Sequence, residues 1–361
     1  MRRALPCLSL AACAPGSVVW DATTSGDVGG DVAIALLTLG YAAEDDRALL
    51  DVPHATGSTL QMNVLDEHNA AVSRWTVKSL APEVCTVTTG NTRDGQLPVT
   101  LSFTGQGTTE VLVADENGVV VDWQPIAVRD VVGAEVRAYD VLRLGESVPI
   151  ETLHVVGGSE GSLVVNWFGA DGEALGGSGL LSATSPAPEI VLEAQSSDDS
   201  YETLGVWVDA GLASGESSIE LLAAGTSVGA LPVVVHDREQ ITEILLLDST
   251  SVDEDGATGG YVRAQVLAGA DEIFGAMVTW SVDGEEVGEG TWARLAGENE
   301  DDLHEITACR GRLCTTETLP GTITSVEDAF AELPCGCNVA PGLPSAGLIA
   351  AIIAARRRRQ A

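Results

Sequence analysis

The chain has 361 residues, enough for roughly two to four domains, and its 40 glycines, 14 prolines and 4% aromatic residues favour short elements joined by turns over long helices. It contains 53 acidic and 18 basic residues, which gives a formal net charge of −35. A surface this acidic repels phosphate backbones and anionic lipid, which argues against nucleic-acid binding as a function.

The N-terminus has the order of a signal peptide. Arg2 and Arg3 precede a short apolar stretch that ends in small residues. The residues LAAC (10–13) resemble a bacterial lipobox, which implies acylation of Cys13 as the mature N-terminus. A buried first strand fits this stretch less well, because two arginines lead directly into it. We expect a signal peptide with a lipobox at 1–13, then a tether or partly ordered segment at 14–47.

The C-terminal stretch CGCNVAPGLPSAGLIAAIIAARRRR (335–359) has the features of a second targeting signal. Its apolar run at 339–355 is shorter than the roughly 20 residues of a membrane-spanning helix, and the following arginines favour the cytoplasmic side. The arrangement resembles the C-terminal sorting tag of myxobacterial surface proteins. The resemblance implies cleavage near Cys335 and Cys337 by an intramembrane sorting protease, while a plain tail anchor is the alternative. The remaining residues expected in the tag are Leu348, Ile349, Ile352, Ile353, Arg356, Arg357, Arg358 and Arg359.

Between these ends, strand-like alternating runs recur at short spacing, which is typical of β-sandwich arrays. Trp75, Trp167 and Trp280 each follow such a run, 18, 22 and 20 residues after a glycine. Closing hairpins are expected downstream of them, at 109–128, 218–235 and 304–319. We therefore predict three repeats, each with its tryptophan buried between two sheets.

The first repeat carries WTVKSLAPEVCTV (75–87) and GTTEVLVADENG (107–118). These segments are similar to bacterial Ig-like domains of the second group, and the likeness covers about residues 48–129. Members of that family are commonly adhesin stalks, invasin-like arms or binding appendages of enzymes. The predicted fold is all-β, with about three tandem immunoglobulin-like sandwiches at 48–129, 130–237 and 238–331. A C-terminal sorting or transmembrane tag with a short hydrophobic helix follows at 332–361.

Motifs for catalysis or metal binding are weak. Residues 157–161 fit the G-x-S-x-G string of a nucleophile elbow, but a strand follows where that motif needs a helix, so we expect a hairpin turn. The histidines lack the paired spacing of a zinc site, and surface or strand-end positions are expected for them: His54, His68, His154, His236 and His304. No catalytic, cofactor-binding or metal residue is predicted. The acidic stretches at 198–199 and 298–302 should be solvated turns that bind Ca²⁺ at most weakly.

Cys309 and Cys314 flank a four-residue loop. Side chains that face each other across a hairpin lie about 4.5–5.5 Å apart, close to disulfide range, and the exported compartment is oxidising. We predict a disulfide between them and a buried free thiol at Cys85.

The predicted function is that of a non-enzymatic Ig-like repeat protein, anchored at the cell surface or outer membrane and acting as a spacer or adhesive module. Its expected partners are the processing protease and membrane lipid at the ends, and an unidentified surface protein or polysaccharide. The alternative is a carbohydrate- or protein-binding subunit of a surface enzyme complex, with Trp123, Trp207 and Trp292 available for a ligand face. A hydrolase is a third hypothesis, for which no converging catalytic residues are visible.

Overall fold

The computed structural model describes residues 18–22, 48–66, 72, 74–92, 95–139, 147–196, 202–252, 258–297 and 301–327. The expected signal peptide with Cys13, and the tag with Cys335, Cys337 and residues 348–359, lie outside this part of the chain. His68, residues 198–199 and residues 298–300 also lie outside it. No helix of the described ranges is long and apolar enough to span a membrane.

The first sandwich packs two four-stranded sheets against each other. Its elements are β1 (Val18–Ala22), α1 (Ala48–Asp51), β2 (His54–Ala55), β3 (Thr59–Asp66), β4 (Thr76–Ser79), β5 (Cys85–Thr89), β6 (Leu97–Phe103), β7 (Gly107–Ala114) and β8 (Val120–Arg129). One sheet has the order β1-β3-β6-β5 and the other β2-β8-β7-β4, with β2 parallel to β8. β1 comes from the segment expected to be a tether, and it pairs with β3.

The second sandwich repeats this plan. Its strands are β9 (Gly133–Tyr139), β10 (Ser147–Pro149), β11 (Leu153–Val156), β12 (Glu160–Phe168), β13 (Ala174–Leu175), β14 (Leu181–Thr184), β15 (Ile190–Ser196), β16 (Glu202–Val208), β17 (Gly215–Ala223) and β18 (Thr226–His236). The sheets run β10-β9-β12-β16-β15, with β13 on β12, and β11-β18-β17-β14. Again the short strand β11 is parallel to the last strand, β18.

A 3-10 helix at Arg238–Gln240 leads to the third sandwich. Its strands are β19 (Glu243–Asp248), β20 (Ser251–Val252), β21 (Thr258–Ala268), β22 (Asp271–Glu272), β23 (Val278–Val282), β24 (Glu285–Gly290), β25 (Trp292–Gly297), β26 (Leu303–Arg310), β27 (Leu313–Pro320) and β28 (Thr322–Glu327). One sheet runs β19-β21-β25-β28, with β20 and β22 on β21, and the other runs β24-β23-β26-β27.

Alternation of apolar and polar residues explains how each sheet forms a core. In β6 the side chains of Leu97, Val99, Leu101 and Phe103 are buried, while the residues between them are partly exposed. Each sandwich has its own cluster of buried residues. In the first two, the strand order is the ABED and CFG arrangement of an Ig domain. The predicted fold of tandem Ig-like sandwiches is therefore confirmed.

The closing hairpins form where the alternation predicts them, as β7–β8, β17–β18 and β26–β27. In the last hairpin, Cys309 is in register with Cys314, and the two form a disulfide with 4.1 Å between their Cα atoms. Cys85 is a buried free cysteine, and burial raises the pKa of its thiol to about 12.

The three tryptophans do not occupy equivalent positions. Trp167 and Trp280 are fully buried, but Trp167 lies on β12 and Trp280 on β23, which belong to different sheets of their sandwiches. Trp75 precedes β4 and is only partly buried against the first core, where Phe103 is the largest fully buried side chain. The three positions differ because the counted run in the second sandwich begins two strands earlier, at β10, so that Trp167 lies on β12, the strand that corresponds to β3.

Candidate functional site: the domain junctions

The first junction joins the turn between β2 and β3 to the loop after β13. The amide of Ala55 donates to the carbonyl of Gly176 at 2.9 Å, and the amide of Gly176 donates to Pro53 at 2.8 Å. Thr59 and Ser178 exchange two further main-chain bonds, both of 2.9 Å. Four backbone hydrogen bonds thus cross from one sandwich to the next.

The second junction uses the same two parts of the fold. Here the turn between β11 and β12 meets the loop after β22. The amide of Phe274 donates to His154 at 2.8 Å, and the amide of Glu160 donates to Gly275 at 3.0 Å. Ser159 and Ala276 form a β-bridge, as Thr59 and Ser178 do at the first junction. The joint is therefore a repeated feature of the chain.

A glycine allows close approach at each joint. Gly177 has φ of +99°, and a Cβ atom there would lie 2.0 Å from the Ser58 hydroxyl oxygen. Gly275 has φ of +62°, and its Cβ would lie 2.1 Å from the Glu160 carbonyl oxygen. Both positions therefore require glycine for conformation and for space.

The apolar cores also cross the joints. Ala55 of the first sandwich is part of the second core, and Val156 of the second sandwich is part of the third core. Phe274 of the third sandwich packs back against the second core. Separating two sandwiches would expose these side chains to water, which is unfavourable.

His54, expected at the surface or a strand end, lies at the first joint and is 1% exposed. Its ring stacks on Phe103 with 4.0 Å between centroids. Neither ring nitrogen has a hydrogen-bond partner among the described residues. Burial lowers the pKa of the imidazole to about 3, so the ring is neutral at physiological pH.

Glu202 holds the loop of the first joint from inside the second sandwich. Its carboxylate is fully buried and accepts the backbone amide of Leu180, two residues after Ser178. Burial raises the pKa of this carboxyl to about 7, against the opposing effect of the amide donors of Leu180, Leu181 and Gly179.

Arg310 bridges the second joint next to the disulfide. Its guanidinium donates to the carbonyl of Met277 in its own sandwich and, at 3.3 Å, to the carbonyl of Gly157 in the second sandwich. Burial lowers the pKa of this guanidinium. Because Cys309 is the adjacent residue, the Cys309–Cys314 bond fixes the strand that carries the arginine.

A cluster of potential metal ligands lies beside the second joint. His154 on β11 and His236 at the end of β18 belong to the second sandwich, and Asp271 on β22 belongs to the third. His154 and Asp271 line part of a groove of about 880 Å³ between the two sandwiches. The pKa of His236 is lowered mainly by burial and, to a smaller extent, by repulsion from His154. Sequence spacing did not indicate this cluster, because the histidines are 82 positions apart and only the parallel pairing of β11 with β18 brings them together.

The serine of the G-x-S-x-G string is part of the second joint. Ser159 is 1% exposed, and its hydroxyl accepts the amide of Val156 at 3.0 Å. A strand follows it, as the sequence predicts. The turn is not a hairpin, however, because β11 and β12 belong to different sheets.

The spare tryptophans do not form one surface. Trp123 is 52% exposed on β8 of the first sandwich, and Trp207 is partly buried on β16 of the second. Trp292 of the third is buried and packs edge-on against Tyr261 at 5.3 Å. An aromatic ligand face made jointly by these three residues is thus absent from the described structure.

No family model matches the chain, and no curated protein matches it. Solved structures with tandem domains are similar. The S-layer protein rSbsC(31-844) is 17% identical, with 73% of this chain and 35% of that chain covered and a TM-score of 0.30. Yersinia pseudotuberculosis InvD is 12% identical, with 76% and 96% covered and a TM-score of 0.25. A titin fragment of tandem Ig domains is 14% identical, with 52% and 93% covered and a TM-score of 0.20.

The buried imidazole at the first joint makes stability depend on pH. Folding lowers the pKa of His54 from the unperturbed value of 6.5 to about 3. The contribution of the neutral ring to the free energy of unfolding is therefore complete above pH 6.5 and is lost as the pH falls. By pH 5 the loss should be about 2 kcal/mol. The variant His54→Phe keeps a flat ring on Phe103 but has no imidazole to protonate. Between pH 7.5 and pH 5 it should therefore lose about 2 kcal/mol less unfolding free energy than the unmodified chain. Urea unfolding at both pH values, with hydrogen exchange to assign the first sandwich, measures it.

The variant His304→Phe is the control, because His304 is only part-buried and its pKa is raised by hydrogen bonding to Asp283. It should not reduce the loss at low pH. An acid-induced loss in His54→Phe equal to that of the unmodified chain would contradict the assignment.

Proposed function

We propose that this protein is a non-enzymatic spacer at the cell surface, built as a stiff string of Ig-like sandwiches. The observation that carries the proposal is the repeated main-chain joint. The strand β12 begins at Glu160, beside the second joint, and ends at Phe168, before the loop of the first joint. Nine residues of strand are about 30 Å long, so the two joints lie at opposite ends of the second sandwich.

Neighbouring domains of one chain ordinarily move relative to each other unless their interface is large and apolar. In this protein, backbone hydrogen bonds and shared core residues cross both joints. Bending a joint would therefore expose apolar side chains and exchange backbone hydrogen bonds for bonds to water, at about 0.5–1.5 kcal/mol for each bond. These costs support a stiff, head-to-tail string.

The side chains favour a structural role over a catalytic one. The serine of the G-x-S-x-G string is enclosed in a turn, and the tryptophans that could form a ligand face lie on separate sandwiches. The high negative charge keeps such strings soluble and mutually repelling at a crowded surface. The proposal includes adhesion, in which one end of the string contacts a surface protein or polysaccharide.

We also propose that both ends are processed. The lipobox-like residues before Cys13 and the sorting-tag pattern from Cys335 support export, lipidation and delivery to the cell surface or outer membrane. The mature protein should lack residues 1–12 and the segment after about Cys337. Mass spectrometry of protein from the cell envelope of the producing bacterium measures both ends. Envelope protein that retains Arg356 to Arg359 would contradict the sorting proposal.

The glycines at the joints provide the test of stiffness. Gly177→Ala and Gly275→Ala each place a Cβ within about 2.1 Å of an oxygen of the neighbouring sandwich, so the joint must open. Small-angle X-ray scattering of the unmodified chain should fit a single elongated shape. The two variants should give a broader distribution of end-to-end distances. Their circular dichroism should match that of the unmodified chain, because the sandwiches themselves stay folded.

Gly172→Ala and Gly269→Ala are matched controls. These glycines also have positive φ, +78° and +69°, but no atom lies within 4 Å of an added Cβ. An alanine at either position has the same unfavourable positive φ but does not collide with a neighbouring sandwich, so the scattering should not change. A chain that is already flexible before substitution would refute the spacer proposal.

A further inference from the structure

The second joint brings together two imidazoles and a carboxylate from different sandwiches. The Nδ1 atom of His154 lies 3.0 Å from the Nε2 atom of His236 and 3.8 Å from a carboxylate oxygen of Asp271. One ligand atom from each of the three lies within 4.8 Å of the others. Parallel pairing of β11 with β18 holds the two histidines, and β22 supplies the aspartate.

These separations are close to those of a coordination sphere. Zinc binds nitrogen and carboxylate ligands at about 2.0–2.2 Å in a tetrahedron, which places neighbouring ligand atoms about 3.4 Å apart. The observed 3.0 and 3.8 Å lie on either side of this value. The ligand atoms of His236 and Asp271 also lie within 4.8 Å of each other, so rotation of the side chains would bring all three to the tetrahedral spacing.

We propose that His154, His236 and Asp271 bind one divalent transition-metal ion, with Zn²⁺ as the best fit. Imidazole ligands suit zinc and its neighbours, whereas Ca²⁺ and Mg²⁺ prefer oxygen ligands alone. Three protein ligands leave a fourth position, which water fills from the adjacent groove. The site is independent of the proposed surface location and rests on the second joint.

The surroundings leave the aspartate available to the ion. The neighbouring carboxylate of Glu272 is already bound by Arg263 and by Gln265, the latter at 2.6 Å. The side chain of Asp271 is 48% exposed and that of His154 is 21% exposed, so an ion can enter from solvent. Because Glu272 is engaged by these two side chains, the proposed ligands are only His154, His236 and Asp271.

Binding at this position would connect two sandwiches. Two ligands come from the second sandwich and one from the third, so an ion held by all three opposes opening of the joint. A ligand that binds only the closed joint stabilises it in proportion to the logarithm of its concentration over its dissociation constant.

The test uses the full chain without a histidine tag, treated with EDTA and then with iodoacetamide to block accessible thiols. Isothermal titration with ZnCl₂ should show one equivalent bound, and CaCl₂ should not compete. His236→Ala should weaken binding at least 10-fold. Asp271→Asn should weaken it about 10-fold and should remove the zinc-dependent rise in the melting temperature.

His304→Ala is the matched control. The two nitrogens of that ring contact Asp283 and Asp302 at 2.7 and 3.4 Å from opposite sides, so the three groups do not converge on one ion. Its zinc affinity should be unchanged. If His236→Ala fails to fold, the zinc affinity of Asp271→Asn tests the proposal, because this part-exposed side chain can be replaced without disturbing the core. Absence of zinc binding at millimolar concentration, or full binding by the folded variants, would overturn the proposal.

Discussion

The pairing of backbone groups across the joints is the constraint on which the rest of the structure depends. A buried amide or carbonyl without a partner is costly, so the strand ends that flank the turns after β2 and β11 need partners for their main chain. In this protein the partners belong to the next sandwich: Gly176 and Ser178 at one joint, Phe274 and Gly275 at the other. The close contact in turn requires the glycines at 177 and 275, because any Cβ would collide with the neighbour.

Buried polar side chains at the joints follow from the same contact. His54 must remain neutral because the second sandwich helps to cover it, and Glu202 is buried because its carboxylate holds the loop that reaches the first sandwich. Arg310 satisfies carbonyls on both sides of the second joint, and the disulfide beside it fixes its strand. In a chain with few basic residues, the joints are therefore held mainly by the backbone and by apolar contact. One arginine contributes at each joint, Arg129 near Glu173 at the first and Arg310 at the second.

The sequence was informative about local structure and less informative about what the chain brings together. Alternation predicted the closing hairpins and the Cys309–Cys314 pairing, because strand partners there are neighbours in sequence. The equivalence of the tryptophans failed, since a spacing from glycine cannot show which strand and which sheet of its sandwich a tryptophan lies on. The cluster of His154 and His236 was missed because it depends on a parallel pairing between distant strands.

The most direct test of the account is amide hydrogen exchange in the full chain, measured by NMR at the donors that cross the joints. The amides of Thr59, Ser178, Glu160 and Phe274 each bond to a carbonyl of the neighbouring sandwich. If the joints are closed, these amides should be protected to the same degree as core strand amides such as that of Val165. Exchange at the rates of an unstructured peptide, with the strands still protected, would show that the sandwiches are only loosely tethered.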